Sequence, residues 1–241
     1  MQGQPLGKRT WVSLLIILIL IPLTIAFGVV YLEDRKYYFI SLLIIVYTMI
    51  PFFVAFEQRK PQAREMVIIA VLTALAVAGR AVFFMVPQFK PVAAIVIITA
   101  VCFGAESGFL VGALAGFVSN FFFGQGSWTP WQMFSFGIIG FLAGILFTKG
   151  ILKKTRLSLC IFGGLATFLL YGGIMNFNAM VMSSATISWQ QYLGFVIAGL
   201  GHDSIHGIAT VFFLFILANP MIEKLERIKV KYGLMEPGRG I

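Results

Sequence analysis

The chain has 241 residues, of which 59% are hydrophobic and only 11% charged, and its mean hydropathy is +0.95. Soluble domains carry about 25% charged residues, so a water-soluble globular fold is excluded and an integral membrane protein is indicated. The net charge of +9 does not point to nucleic acid, because almost all of the basic residues sit in short loops and at the termini, where membrane topology places them.

Apolar runs of helical length follow one another without the alternation of an outer-membrane barrel, so the expected fold class is an all-α integral membrane protein. In chain order the runs are Trp11 to Val30, Tyr37 to Phe56, Met66 to Phe84, Val92 to Gly104, Gly108 to Phe123, Pro130 to Phe147, Leu157 to Met182 and Tyr192 to Ala218. The first follows Lys8 and Arg9, is longer than a typical signal-peptide core and lacks a small-residue cleavage site, so it reads as a retained span.

Only FGAESG separates the fourth and fifth runs, and a rival reading joins Val92 to Phe123 into one helix. Charge decides between them. With eight spans and both termini cytoplasmic, 14 of the 18 basic residues lie inside, leaving Arg35, Lys36, Arg80 and Lys90 outside or near the outer end. Merging the two runs leaves 5 inside against 13. Eight spans put Met85 to Pro91, Gly124 to Thr129 and Ser183 to Gln191 on the outer face.

Composition changes at EQRKPQAR, residues 57–64. Residues 1–62 hold two plain Leu- and Ile-rich helices, residues 63–220 a Gly- and Ala-rich core of six, and residues 221–241 a basic cytoplasmic tail. Small residues recur four apart at Ala70/Ala74/Ala78, Gly104/Gly108, Gly112/Gly116 and Gly140/Gly144, which in lipid marks close helix packing. Cys102 and Cys160 lie in apolar surroundings and read as small buried residues.

The stretch NFFFGQGSWTPWQMFSF, residues 120–136, joins two apolar runs through glycines, Pro130, Trp128 and Trp131. Such a loop sits at the water interface, either as an anchor or as a binding lid. Asn120 and Gln132 bracket it.

Ionisable groups within a span are costly and therefore the best pointers to function. In the last run Gly199, His202, Asp203, His206 and Thr210 share one helical face. His202 and His206 have the spacing of a metal pair, but the glutamate of HExxH is missing and no further ligand is evident. Asp203 fits a proton-coupled carrier, and the stripe also fits polar glue or the wall of a ligand cavity. Arg80 shares the face of Thr73 and Ala76, about 80° from the alanine stripe, so it can reach a ligand, pair with Asp203 or snorkel to the headgroups. Tyr171, Met175 and Asn178 form a further inward face. No Walker A motif, nucleophile elbow or acidic metal cluster is present, which argues against an enzyme or a resident metal.

AREMVIIAVLTALAVAGRAVFFMVPQFKP, the two short glycine-rich spans, NFFFGQGSWTPWQMFSFGIIGFLAG and the terminal HDSIHG together resemble the substrate-binding S component of energy-coupling factor (ECF) vitamin transporters. The resemblance covers residues 63–220. It implies a six-helix cell-membrane protein without a cofactor that captures a vitamin from outside. It also implies docking on a transmembrane coupling subunit driven by two cytoplasmic ATPases, with toppling in the membrane to release the cargo. The family's AxxxA contact with the coupling subunit matches Ala70, Ala74 and Ala78. Its pocket elements match Arg80, Gln88, Phe89, Lys90, Asn120, Gln125, Trp128, Trp131, Gln132, Tyr171, Asn178, His202, Asp203 and His206.

The leading helix pair and the GQGSWTPWQ loop look most like the S components assigned to cobalamin, with riboflavin, folate, thiamin or a queuosine precursor as alternatives. From other classes, an ion-coupled secondary transporter using Asp203 and a membrane metalloenzyme using His202 and His206 compete with this reading.

Overall fold

The structure is a computed structural model that describes residues 16–20, 22, 23, 47, 63–183 and 188–234. Most of both leading spans, and all of the first loop between them, lie outside the described residues. The six core runs form helices: α1 (Ala63–Val82), α2 (Val92–Phe103), α3 (Ala105–Phe123), α4 (Thr129–Thr148), α5 (Arg156–Ser183) and α6 (Trp189–Tyr232). No strand occurs among the described residues. Five of the helices are long and apolar enough to cross a membrane, and α2 is a shorter apolar helix.

Val92 to Phe123 is two helices because Gly104 alone separates them at φ 93°, ψ 175°. That backbone is open to glycine and strained for any residue with a Cβ, so the chain reverses within one residue. Every residue of α2 is buried, and the helix forms the centre of the bundle. Its continuous apolar surface leaves no face for lipid, as expected of a helix enclosed on all sides.

α3 and α4 pack backbone to backbone. A Cβ on Gly140 would lie 2.4 Å from the Gly108 carbonyl oxygen, and one on Gly112 would lie 2.5 Å from the Phe136 carbonyl oxygen. Lipid provides no hydrophobic drive between helices, so dispersion over such close surfaces holds the pair together. The repeated small residues have this use.

α5 carries a six-residue π-helical segment, Ala166–Tyr171, which ends at Tyr171. π-Bulges of this kind are frequent at functional sites. α6 has 44 residues, about 66 Å at ~1.5 Å per residue, and so outruns a hydrocarbon core of about 30 Å. The apolar pattern predicts an end at Ala218, yet the helix continues through Pro220. Leu225 is buried in the core, with Met221, Ile222 and Ile228 packed against it, and these contacts hold the extension helical.

At this end the C-terminal carbonyls of α2 are capped from outside the helix. Lys154 Nζ donates to the Val101 carbonyl at 3.1 Å and Lys229 Nζ to that of Cys102 at 2.8 Å. Glu226 lies 3.7 Å from Lys154. Orphan carbonyls at a helix C-terminus favour such cations. Cys102 and Cys160 are free and buried.

Gly140→Leu should lower the unfolding midpoint of the detergent-purified protein by about 2 to 12 °C, the range expected of overpacking by ~1–3 kcal/mol. Gly201→Ala, where an added Cβ meets nothing within 4 Å, should stay within about 2 °C of the natural chain. Thermal unfolding followed by circular dichroism measures both.

Candidate functional site

The connections after α1 and after α3 meet at one end of the bundle, where Phe84 stacks on Phe123 with ring centroids 5.1 Å apart. Beneath them lies a cavity of about 440 Å³. α1, α4, α5 and α6 supply its polar walls.

Arg80 enters from α1. Its Nη1 donates to Ser119 Oγ, to Asn120 Oδ1 at 2.8 Å and to Gln132 Oε1 at 3.4 Å, while the guanidinium lies 5.1 Å from the Phe123 ring centroid. The side chain therefore turns inward. Gln132 passes the contact on: its Nε2 donates to Tyr171 Oη at 2.8 Å. A charge at membrane depth needs such partners, and here they come from α3 and α4.

Lys90 lies in the loop of residues 83–91 and donates to the carbonyls of Phe83, Phe84 and Val86. Burial, and then the Arg80 charge, hold its ammonium below the ordinary lysine range. Gln88 beside it has φ 55°, a conformation that strains most non-glycine residues. One ammonium thus pins a loop that already carries backbone strain.

An aromatic group forms the floor. Tyr171 meets His206 edge-on at 4.5 Å and Phe136 at 4.7 Å, all three buried. Below them Thr167 Oγ1 donates to Thr210 Oγ1 at 3.1 Å, and Thr210 Oγ1 donates to the His206 carbonyl at 2.9 Å. On α6, Gly199, His202, Asp203 and His206 all line the cavity, so the polar stripe faces a cavity rather than a neighbouring helix alone. Asp203 accepts from Asn176 Nδ2 at 2.8 Å instead of pairing with Arg80.

Of the residues expected at the pocket, Arg80, Gln88, Lys90, Gln132, Tyr171, His202, Asp203 and His206 line the cavity, and six others do not. Asn120 and Gln125 spend their amides on the protein: Asn120 Oδ1 accepts from Arg80 and its Nδ2 donates to Thr129 Oγ1 at 3.1 Å, while Gln125 Oε1 accepts from Thr129 Oγ1 at 2.9 Å and its Nε2 donates to the Phe117 carbonyl at 3.2 Å. Trp131 is buried against Phe177, 5.8 Å away. Trp128 covers Gly126 and stays 43% exposed, the place of an interfacial anchor. Phe89 packs on Phe212 and Phe213. Asn178 is buried and does not line the cavity. Asn176 lines it instead, with Phe84 and Phe136. Ser119 stands behind Arg80. These residue types carry no chemical signature in sequence, and only the helix crossing selects them. Among the described residues no three His, Cys, Asp or Glu side chains gather as a metal set.

A half-open polar cavity bordered by a loop at one end of a multi-pass helical bundle is the kind of site in which a membrane protein binds a small molecule. A family model described as "ECF-type riboflavin transporter, S component" matches residues 60–227, more than half of the chain. The chain belongs to this family, which is a transporter component and not an enzyme family.

A UPF0397 protein of Vibrio atlanticus (strain LGP32) is 32% identical over 124 residues, covering 48% of this chain and 68% of that protein. UPF0397 proteins of Aliivibrio salmonicida (strain LFI1238) and Aliivibrio fischeri (strain MJ11) are each 34% identical, over 105 and 100 residues. These matches cover 42% and 39% of this chain, and 55% and 52% of the two relatives, so the chain spans about half their length. No solved structure matches the chain.

Lys90→Met should free the loop of residues 83–91, raising its amide hydrogen exchange by about tenfold or more, since the charge-assisted hydrogen bonds to three carbonyls are lost. Exchange in α2 should not change. Mass-resolved exchange of the purified protein measures both.

Proposed function

We propose that the chain is the substrate-capturing subunit of an ECF-type importer, which takes a vitamin into the loop-bordered cavity and passes it to an ATP-driven coupling module. The observation that carries the reading is the cavity of about 440 Å³, walled by Arg80, Gln132, Tyr171, Asp203 and His206 in a chain of this family. Basic residues concentrated in the loops at the opposite end support eight spans with both termini cytoplasmic, and so a cavity that opens outward. The division at residues 62 and 220 is part of the same reading.

α1 supports the partnership. Ala70, Ala74 and Ala78 are exposed, whereas Ile69, Leu72, Thr73 and Ala76 of the same helix are buried. A smooth alanine face turned away from its own bundle suits close approach of another helix. The partner is a transmembrane coupling subunit with two cytoplasmic ATPases.

The family description names riboflavin, and the cavity volume supports a ligand of that size. Drug-sized ligands occupy sites of about 300–1,000 Å³, and this cavity lies in the lower part of the range. Cobalamin, expected from the leading helices and the GQGSWTPWQ loop, exceeds drug size, and the tryptophans of that loop do not line the cavity.

The absorbance of the purified protein, desalted after incubation with riboflavin or cobalamin, tests the substrate. A retained flavin band is expected, and a retained corrinoid band would reverse the choice. Ala74→Trp should abolish co-purification with the coupling subunit and ATPases, yet leave vitamin affinity within about twofold, as for a surface change. Vitamin uptake that survives ATP depletion but is lost in Asp203→Asn would instead establish an ion-coupled carrier.

A further inference from the structure

At the end of the bundle opposite the cavity, residues 149–155 carry the chain from α4 into α5. The stretch KGILKKTR, residues 149–156, holds four basic and no acidic side chains. Gly150 turns the chain there at φ 71°, and the two adjacent lysines that follow take different directions. Lys154 reaches the Val101 carbonyl at 3.1 Å and lies 3.7 Å from Glu226. Lys153 instead lines an open groove of about 670 Å³ between this connection and α5. Among the described residues Lys153 has no ion-pair partner, so its charge is available to a ligand. Arg156 is turned to α6, 4.9 Å from the Phe215 ring centroid.

The groove is polar at one end only. Lys153, Thr155 and Ser158 stand where α5 begins, and beyond Ser158 every lining residue as far as Leu170 is apolar. Leu157, Ile161, Leu165 and Leu169 recur four apart and are all exposed, whereas Leu159, Gly163 and Thr167, offset by two, are buried. The stripe is therefore the face that α5 turns away from its own bundle. From Leu157 to Leu169 it spans about 18 Å at ~1.5 Å per residue, and half of a hydrocarbon core is about 15 Å. The groove thus runs the depth of one leaflet, with its cation at headgroup level.

We infer that this groove binds an anionic phospholipid, with an acyl chain along the Leu157, Ile161, Leu165 and Leu169 stripe and the phosphate beside Lys153, where the Thr155 and Ser158 hydroxyls can donate. Such an occupant matches the groove at both ends. An apolar helix of a neighbouring protein would cover the stripe and leave Lys153 uncompensated. A free phosphate would meet Lys153 and leave the stripe bare. The inside-positive orientation proposed above puts this end in the cytoplasmic leaflet, whose anionic lipids attract basic segments of this kind. The site does not depend on what fills the cavity at the other end.

The test is native mass spectrometry of the detergent-purified full chain, titrated with dioleoyl phosphatidylglycerol or dioleoyl phosphatidylcholine, which share their chains and differ in net charge. The natural chain should retain phosphatidylglycerol about fivefold more tightly, the contribution of one basic residue near a headgroup. Lys153→Gln should cut this preference to about twofold or less, since the remaining basic residues act only at a distance. Lys231→Gln, at an exposed lysine outside the groove, should leave it unchanged. Ile161→Trp, which fills the groove, should weaken retention of both lipids. The altered side chains are exposed, so unfolding midpoints should stay within about 2 °C of the natural chain.

Equal retention of the two lipids by the natural chain overturns the inference without any variant. So does a preference that Lys153→Gln leaves intact, or one that Lys231→Gln lowers as much. Loss of co-purification with the coupling subunit in Ile161→Trp, with lipid retention unchanged, assigns the groove to a protein helix and overturns the inference as well.

Discussion

The guanidinium of Arg80 is the constraint around which the described bundle is arranged. A cation carried into a membrane span must be solvated by protein, since lipid offers nothing. Ser119, Asn120 and Gln132 do this, and two of them need partners of their own, which Thr129 and Tyr171 supply. One charge on α1 thereby fixes the facing sides of α3, α4 and α5. The burial of Ser119, Asn120, Thr129, Gln132 and Tyr171 in these apolar helices follows from it, and the cavity lies between this network and α6.

The network can be held only because the helices beneath it come very close. α3 and α4 meet through glycines, and α2 is enclosed entirely, so the centre of the bundle has little freedom to shift. The two ends of α2 have different duties. Its first residue, Val92, borders the cavity, while its last carbonyls are taken by Lys154 and Lys229. The basic residues that the inside-positive pattern counts as topology signals thus also complete the hydrogen bonding of a buried helix end.

The six core helices were legible because apolar runs in lipid have one main solution, and because the inside-positive count separates Val92 to Gly104 from Gly108 to Phe123. The α6 stripe was legible for a similar reason: three ionisable residues on one face of an apolar helix must meet protein or water. Legibility failed at the Trp loop. Its amides and aromatics look like ligand contacts, but Asn120 is taken up by Arg80 and Thr129, and Gln125 by Thr129 and the Phe117 carbonyl, pairings that no residue type announces. It failed again at Asn176 and Asn178, which lie two residues apart and therefore on different sides of α5. The side of α5 that carries Asn176 is the one that meets Asp203 and Gly199 of α6, a crossing that a helical wheel of α5 alone does not record. The extension of α6 past Pro220 was missed because its stabilisation comes from packing against α2 and not from its own sequence.

α1 joins these strands. Its alanine face and its Arg80 face are separated by about 80° on a single helix of 20 residues. A helix of that length behaves as a stiff rod, so a change in the partners of Arg80 is felt along the same body that carries Ala70, Ala74 and Ala78. No chain of side chains across the bundle is then required for ligand occupancy to influence the surface proposed to meet the coupling subunit. The energy available for this is bounded by how differently a ligand would bind the two states of such a helix.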